Sequence, residues 1–274
     1  MKNSKKITFI IALISVFVLQ GQEFQGKAYY QTKRNFEIKL DSSNTNDVMQ
    51  KEIQTMLKKQ FEKNYILSFE KSKSLYVVEK KLNKPTPSQG GMVIEFVGNS
   101  SGILYKDVKN NTYVNAQESF GKKFLIKDAL KPLDWKIGKE TKMIGNYLCI
   151  KATAIKMVAD FDEERMEIKE KKKEQKVTAW YTPEIAVRNG PSRFYGLPGL
   201  ILELHDGKMH YVCTKIVLNP NKKIDITAPK KGKIVTQKEF EKIMKKKAKE
   251  MQEQFDGGRK KGNNGGHFSI EIRG

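Results

Sequence analysis

From Tyr65 onward, apolar residues recur at every second position in short runs, and this period constrains the fold more than any other feature of the chain. The runs are Tyr65–Phe69, Leu75–Val78, Met92–Val97, Ile103–Val108, Thr112–Ala116 and Lys123–Ile126. A segment alternates in this way when one face of a strand meets a core and the other meets water. Lys109-Asn110-Asn111 predicts a hairpin turn, because Asn tolerates positive φ, and Pro85–Gly91 predicts an exposed loop. Phe24 to Leu40 carries strand residues too, in Ala28-Tyr29-Tyr30 and Phe36–Leu40. Between these stretches the period changes. Met49, Ile53, Met56, Leu57 and Phe61 recur at three and four residues, which predicts one amphipathic helix over 45–62. The expected fold class is mainly β (β-rich α+β): a curved antiparallel sheet or half-open barrel with one packed helix.

Asn146 to Met157 and Gln175 to Tyr181 predict a long hairpin. Between them, Asp160 to Glu174 holds little but charge and reads as a solvated hairpin tip. Composition shifts after Pro220. Thr236-Gln237-Lys238-Glu239 is a capping box that opens a helix with Phe240, Ile243, Met244, Ala248, Met251 and Phe255 on one face. Gly257-Gly258 is expected to end it, leaving a disordered Gly/Asn/Lys tail. The expected organisation is a signal peptide over 1–21, a β-rich domain over 22–220, a basic amphipathic helical appendage over 221–256 and a tail over 257–274.

The leader reading rests on Lys2, Lys5 and Lys6 ahead of an apolar stretch, Ile7 to Leu19, that is too short to span a bilayer. It predicts export to the periplasm or beyond, not an integral membrane protein. The formal net charge is +21, and removing the three leader lysines, which have no acid beside them, leaves +18. A surplus of this size attracts anionic partners. It is almost all Lys and spread along the chain, whereas phosphate recognition leans on Arg forks. The expected partner is therefore an anionic envelope polymer and not nucleic acid.

The densest pattern lies between Trp135 and Leu204. It comprises Trp135, Ile144-Gly145-Asn146-Tyr147-Leu148-Cys149-Ile150-Lys151-Ala152, Trp180-Tyr181-Thr182-Pro183, Asn189-Gly190-Pro191 and Tyr195-Gly196-Leu197-Pro198-Gly199-Leu200-Ile201-Leu202. In these motifs the chain resembles the GLPGLI family of exported Bacteroidetes-type proteins, over roughly residues 27 to 220. That resemblance implies export and no known activity, and it lends no catalytic residue. The chain departs from the family at Glu184-Ile185-Ala186-Val187, where an Ile-Pro step is expected, which implies a less rigid loop.

Read physically, Gly196 and Gly199 admit positive φ or close backbone approach, and Pro198 fixes φ before the next strand. Sharp turns account for these residue types. The functional alternative makes the loop a binding mouth formed by Trp180, Tyr181, Tyr195, Leu197, Pro198 and Leu200. Asp206-Gly207 reads as a two-residue hairpin loop, pairing Glu203 with His210 and leaving His205 diagonal to both. Leu200, Leu202, Leu204, Met209, Tyr211 and Cys213 then form a core face, and Ile201, Glu203, His205, Lys208, His210 and Val212 a wet one. Glu203, His205 and His210 would sit close enough to share a zinc or copper ion. Cys149 and Cys213 are expected on opposite faces, against a disulfide.

No nucleophile elbow, zinc-protease helix, P-loop or dinucleotide fingerprint is present. Asp128, Asp134 and Glu140 are acids that a glycosidase-like pair would need. The reading that follows is an exported, non-enzymatic envelope protein that binds a hydrophobic ligand or peptide or assists an outer-membrane partner. A metal-handling envelope protein and a hydrolase of envelope glycans or peptides stay open as alternatives. The residues name no cofactor and no oligomeric state.

Overall fold

The structure, a computed structural model, describes residues 24–34, 37–40, 62–79, 102–162, 167–259 and 270–273. The leader, all but the last residue of the 45–62 helix, the 85–91 loop and the Met92–Val97 strand lie outside these residues. The strands are β1 (Gln25–Arg34), β2 (Glu37–Leu40), β3 (Lys63–Glu70), β4 (Lys73–Val78), β5 (Ile103–Asp107), β6 (Thr112–Ser119) and β7 (Lys122–Ala129). They continue with β8 (Lys136–Ile144), β9 (Tyr147–Asp162), β10 (Glu167–Thr182), β11 (Leu200–Asp206), β12 (Met209–Leu218) and β13 (Lys233–Val235). Helix α1 (Gln237–Arg259) and strand β14 (Ile270–Arg273) follow.

One 12-stranded sheet has the order β13-β7-β6-β5-β4-β3-β1-β12-β11-β10-β9-β8. It is two antiparallel meanders sewn together by β1, which pairs with β3 on one side and β12 on the other. The β5–β6 hairpin turns through Asn111 at φ 51°, in the segment whose asparagines predict it. The β9–β10 hairpin is longer than its apolar residues suggest, with pairing as far out as Asp162 and Glu167. Backbone hydrogen bonding does not require apolar side chains, so the charged stretch read as a solvated tip continues the ladder.

The sheet is strongly curled. β5 and β11 are five strand spacings apart, roughly 24 Å on a flat sheet. Yet Leu104, Tyr113 and Phe124 from one meander share a core with Leu200, Leu202, Cys149 and Cys213 from the other. The sheet therefore bends back over its own face, with β13 and β8 left as unjoined edges.

Past Pro220 the chain is tied into this same core. Gln25 holds Ile224 through both its amide and its carbonyl, β13 pairs in parallel with β7, and Val235 and Phe240 are buried. The segment read as an appendage is thus an extra layer on the first meander. Its helix opens on the expected capping box: Thr236 N donates to Glu239 Oε2 at 2.7 Å, and Glu239 N donates to Thr236 Oγ1 at 3.2 Å. The Asp128 carboxylate accepts from the backbone N–H of Gln237 at the same helix start. Phe240 packs on Phe124, with Ile243 and Met244 beside it. The side chains of Ala248, Met251 and Phe255 lie outside the described residues. The helix runs to Arg259, through Gly257 and Gly258. The tail read as disordered contains β14, which pairs with β2 in a separate two-stranded sheet. Among the described residues no helix is long and apolar enough to cross a membrane.

A lysine amine sits inside this core. Lys106 is fully buried on β5, and its Nζ donates to the carbonyls of Gly190 at 2.7 Å and Phe194 at 3.3 Å. Burial lowers its pKa from 10.5 to about 7, and the neutral amine still donates to both carbonyls. The unfolded chain holds this proton up to the ordinary lysine range, so between the two values it binds more protons than the folded chain. Stability therefore rises with pH above about 7, and the burial penalty is fully present below it. Urea unfolding at about pH 7 and about pH 9 is expected to show wild type gaining stability relative to Lys106→Met as pH rises. A pH-independent difference between the two proteins would mean that Lys106 stays charged in the fold.

Candidate metal centre

The segment between β10 and β11 is core. Ile185, Val187, Tyr195, Leu197 and Leu200 are all at most 5% exposed, as is Tyr181 at the end of β10. Because a loop that is buried must satisfy its backbone internally, side chains from distant elements converge on it. Tyr30 donates its hydroxyl to Ile201 O at 2.6 Å, Trp135 Nε1 donates to Tyr195 O at 2.9 Å, and Lys106 serves Gly190 and Phe194. Tyr195 returns its own hydroxyl to Leu130 O at 2.5 Å.

The glycines have the structural roles open to them. Gly196 takes φ 102° above the Trp135 ring, and a Cβ on Gly199 would meet the Thr182 carbonyl oxygen at 2.0 Å. The departure at 184–187 does not loosen the loop. Ile185 O accepts from both Val187 N and Leu200 N, and Glu184 accepts from Leu148 N. The binding mouth read from Trp180, Tyr181, Tyr195, Leu197, Pro198 and Leu200 is therefore corrected: Pro198 is exposed and Trp180 half-buried, while the other four side chains are in the core.

The hairpin after this loop carries the polar cluster. Its register differs from expectation by one step of the turn: His205 lies opposite His210 and Asp206 opposite Met209, so the loop is Gly207-Lys208. Asp206 is kept in the strand by Lys156 and Gln175, whose amine and amide reach its carboxylate at 2.7 and 2.6 Å. Gly207 supplies the positive φ, at 58°. Side-chain alternation also breaks once. Trp180 pairs with Glu203 but Tyr181 pairs with Ile201, leaving Leu202 as an extra residue in β11. Leu204 and Ile201 thereby share one core with Ala179 and Tyr181, while Leu200 and Leu202 join the other. Ile201, read as wet, is fully buried.

Glu203, His205 and His210 do come together. One ligand atom from each lies within 4.8 Å of the others. His205 Nε2 is 2.9 Å from Glu203 Oε1, and the two imidazoles stack with centroids 3.8 Å apart. His210 Nε2 is buried without a hydrogen bond, 3.5 Å from the same oxygen. Burial, followed by the neighbouring His205, pulls His210 below the usual imidazole range. Its neutral ring therefore has a lone pair ready for a metal at neutral pH. Burial alone would raise the Glu203 carboxyl, but hydrogen bonds from Lys142 and His205 outweigh it and hold the group below its ordinary value. Lys142 Nζ is 2.7 Å from Glu203 Oε2 and 4.4 Å above the Trp180 ring. Nothing in the sequence singles out Lys142, because it lies 61 residues from Glu203 and on another strand.

The alternatives for chemistry are weaker. Cys149 and Cys213 share one core, contrary to the opposite faces expected of them. They sit on β9 and β12 with two strands between them, and both are free cysteines. Burial pushes their thiols up to about 11 and about 12, so neither is a thiolate at neutral pH. Asp128 is occupied in capping α1, and Glu140 pairs with Lys151.

If the loop is structural, its residues should report in stability. Leu197→Ala is expected to lower the unfolding free energy by about 2–5 kcal/mol while keeping the β-sheet circular dichroism. Gly199→Ala is expected to lower the urea midpoint further, because a backbone carbonyl cannot rotate away from the added methyl as a side chain can. Midpoints within error of wild type would return this loop to the surface.

A family model described as a protein of unknown function (Porph_ging), an uncharacterised Bacteroidetes-type family, matches residues 135–203. The matched stretch runs from Trp135 through the buried loop to Glu203. No curated protein matches the chain. Two solved structures of PNGF-II, in C2 and P21 space groups, resemble it at TM-scores of 0.47 and 0.48 with 16% and 17% identity. The likeness covers 80% of this chain but 32% and 33% of theirs, so the chain spans about a third of the length of those structures.

Proposed function

We propose that this protein is an exported, non-enzymatic envelope protein that handles a transition-metal ion, zinc or copper, on Glu203, His205 and His210. The observation that carries this is the convergence of two imidazoles and one carboxylate within 4.8 Å on a single hairpin, with the buried His210 Nε2 only 3.5 Å from Glu203 Oε1. At 3.5 Å that contact is longer than a good hydrogen bond, and an ion coordinated by both groups would satisfy them. Imidazole with carboxylate is a donor set that suits zinc and copper better than calcium or magnesium. The ligands sit on strands whose register is set by main-chain pairing, so little ordering is needed on binding.

Three protein donors leave a tetrahedral ion one position open, which an exchange partner fills in handing the ion on. Export is supported by the basic and apolar leader in residues 1–21. A hydrophobic-ligand role loses its surface once the loop after β10 is core, and a hydrolase role finds Asp128 and Glu140 already engaged in structural contacts.

Calorimetric titration of the mature chain with zinc, then copper, is the test. One saturable site is expected in wild type, and its loss in the His205→Ala, His210→Ala double variant, with thermal unfolding confirming that the variant is folded. An absence of saturable heat at micromolar metal in the wild type would remove this reading.

A further inference from the structure

The cluster carries a cation of its own. Lys142 reaches from β8 across to β11 and places Nζ 2.7 Å from Glu203 Oε2, while Oε1 of the same carboxylate serves the histidines. The charge of Glu203 is thus already balanced, and a divalent ion approaching the imidazoles meets a site with no net negative charge. The same ammonium stands 4.4 Å from the centre of the Trp180 ring, within the range at which an aromatic face attracts a cation. Trp180 and Glu203 are directly paired across β10 and β11, so the two acceptors of Lys142 are adjacent. The other amine near this ring, Lys151, is 5.8 Å away and is held at 2.8 Å by Glu140. The ring face is therefore open to Lys142.

We infer that Lys142 is the resident counter-cation of the metal site, released from Glu203 when the ion binds and retained on the face of Trp180. This rests on the metal reading above. The arrangement limits affinity, because like charges at this range repel strongly in a half-buried setting. It also suits a protein that must give its ion up: as the ion leaves, Lys142 returns to the carboxylate and no buried charge is left unpaired. The opposite role is equally definite. A lysine that only oriented Glu203 would strengthen the site, and its removal would weaken binding by about 10–100-fold.

The two roles predict changes of opposite sign. Zinc is titrated into the wild type, Lys142→Met and Lys142→Arg, following heat and tryptophan emission; zinc has a closed shell and does not itself quench indole. Lys142→Met is expected to bind zinc about tenfold more tightly than wild type, while Lys142→Arg, which keeps the charge, stays near wild type. The wild type is expected to change its emission on zinc binding, and Lys142→Met to bind without that change. Equal or weaker binding by Lys142→Met, beside a wild type that binds, overturns the role of Lys142 and leaves the metal site standing. Absence of binding in all three proteins overturns the metal reading and this inference with it. Binding by Lys142→Met alone, with none in the wild type, removes the metal reading of the native protein and this inference with it. Thermal unfolding of each variant confirms that the comparison is between folded proteins.

Discussion

The structure depends on hiding the backbone of the segment between Thr182 and Leu200. Peptide groups taken out of water need partners, and this segment meets some of them from within, as in Gly196 N to Arg188 O and Leu200 N to Ile185 O. Others come from Lys106 on β5 and Trp135 ahead of β8, with Tyr30 on β1 serving Ile201 O just past its end. These donors lie on both meanders, so satisfying this one segment requires the sheet to curl. The use of lysine follows from reach. Nζ ends a long flexible stem and serves two carbonyls at once, where a shorter polar side chain on β5 would leave one of them unmet.

The curl and the polar cluster are linked through β11. Its first residues, Leu200 to Leu202, complete the buried segment, and its last ones carry Glu203 and His205. The extra residue at Leu202 sits between these two tasks. It lets Ile201 enter the core while Glu203 keeps the face of Trp180 and Lys151. A bulge re-aims side chains at the expense of one ladder position, and here it separates a core strand from a ligand-bearing strand within seven residues. Asp206, held by Lys156 and Gln175 from the neighbouring hairpin, then sets where the turn falls and brings the two histidines opposite each other.

Much of this was legible in the chain, and the reasons differ by element. Strands such as Lys63–Glu70 and Ile103–Asp107 announce themselves because one-sided burial imposes a period of two. The cap at Thr236 is legible because both partners lie within one helical turn. The candidate ligands were recognisable as a set, since Glu203, His205 and His210 are near neighbours around a glycine turn. Their pairing was misplaced by one step, because the side chain that anchors Asp206 comes from Lys156, fifty residues earlier. Alternation also misassigned Ile201 and the relation of Cys149 to Cys213, since a period of two carries no mark of a bulge.

What the sequence determined by itself is therefore local: the strands, the helix cap, the turn-forming glycines and the residue types gathered near Gly207. Each follows from interactions between residues a few positions apart, which the order of the chain displays directly. What only the tertiary structure decided is the meaning of those residues. The loop around Gly196 and Gly199 became core and not a binding mouth, and Glu203 acquired Lys142 as its partner across two intervening strands. Burial and charge pairing are properties of what lies nearby in space, and curling a 12-stranded sheet brings together groups that the chain keeps far apart.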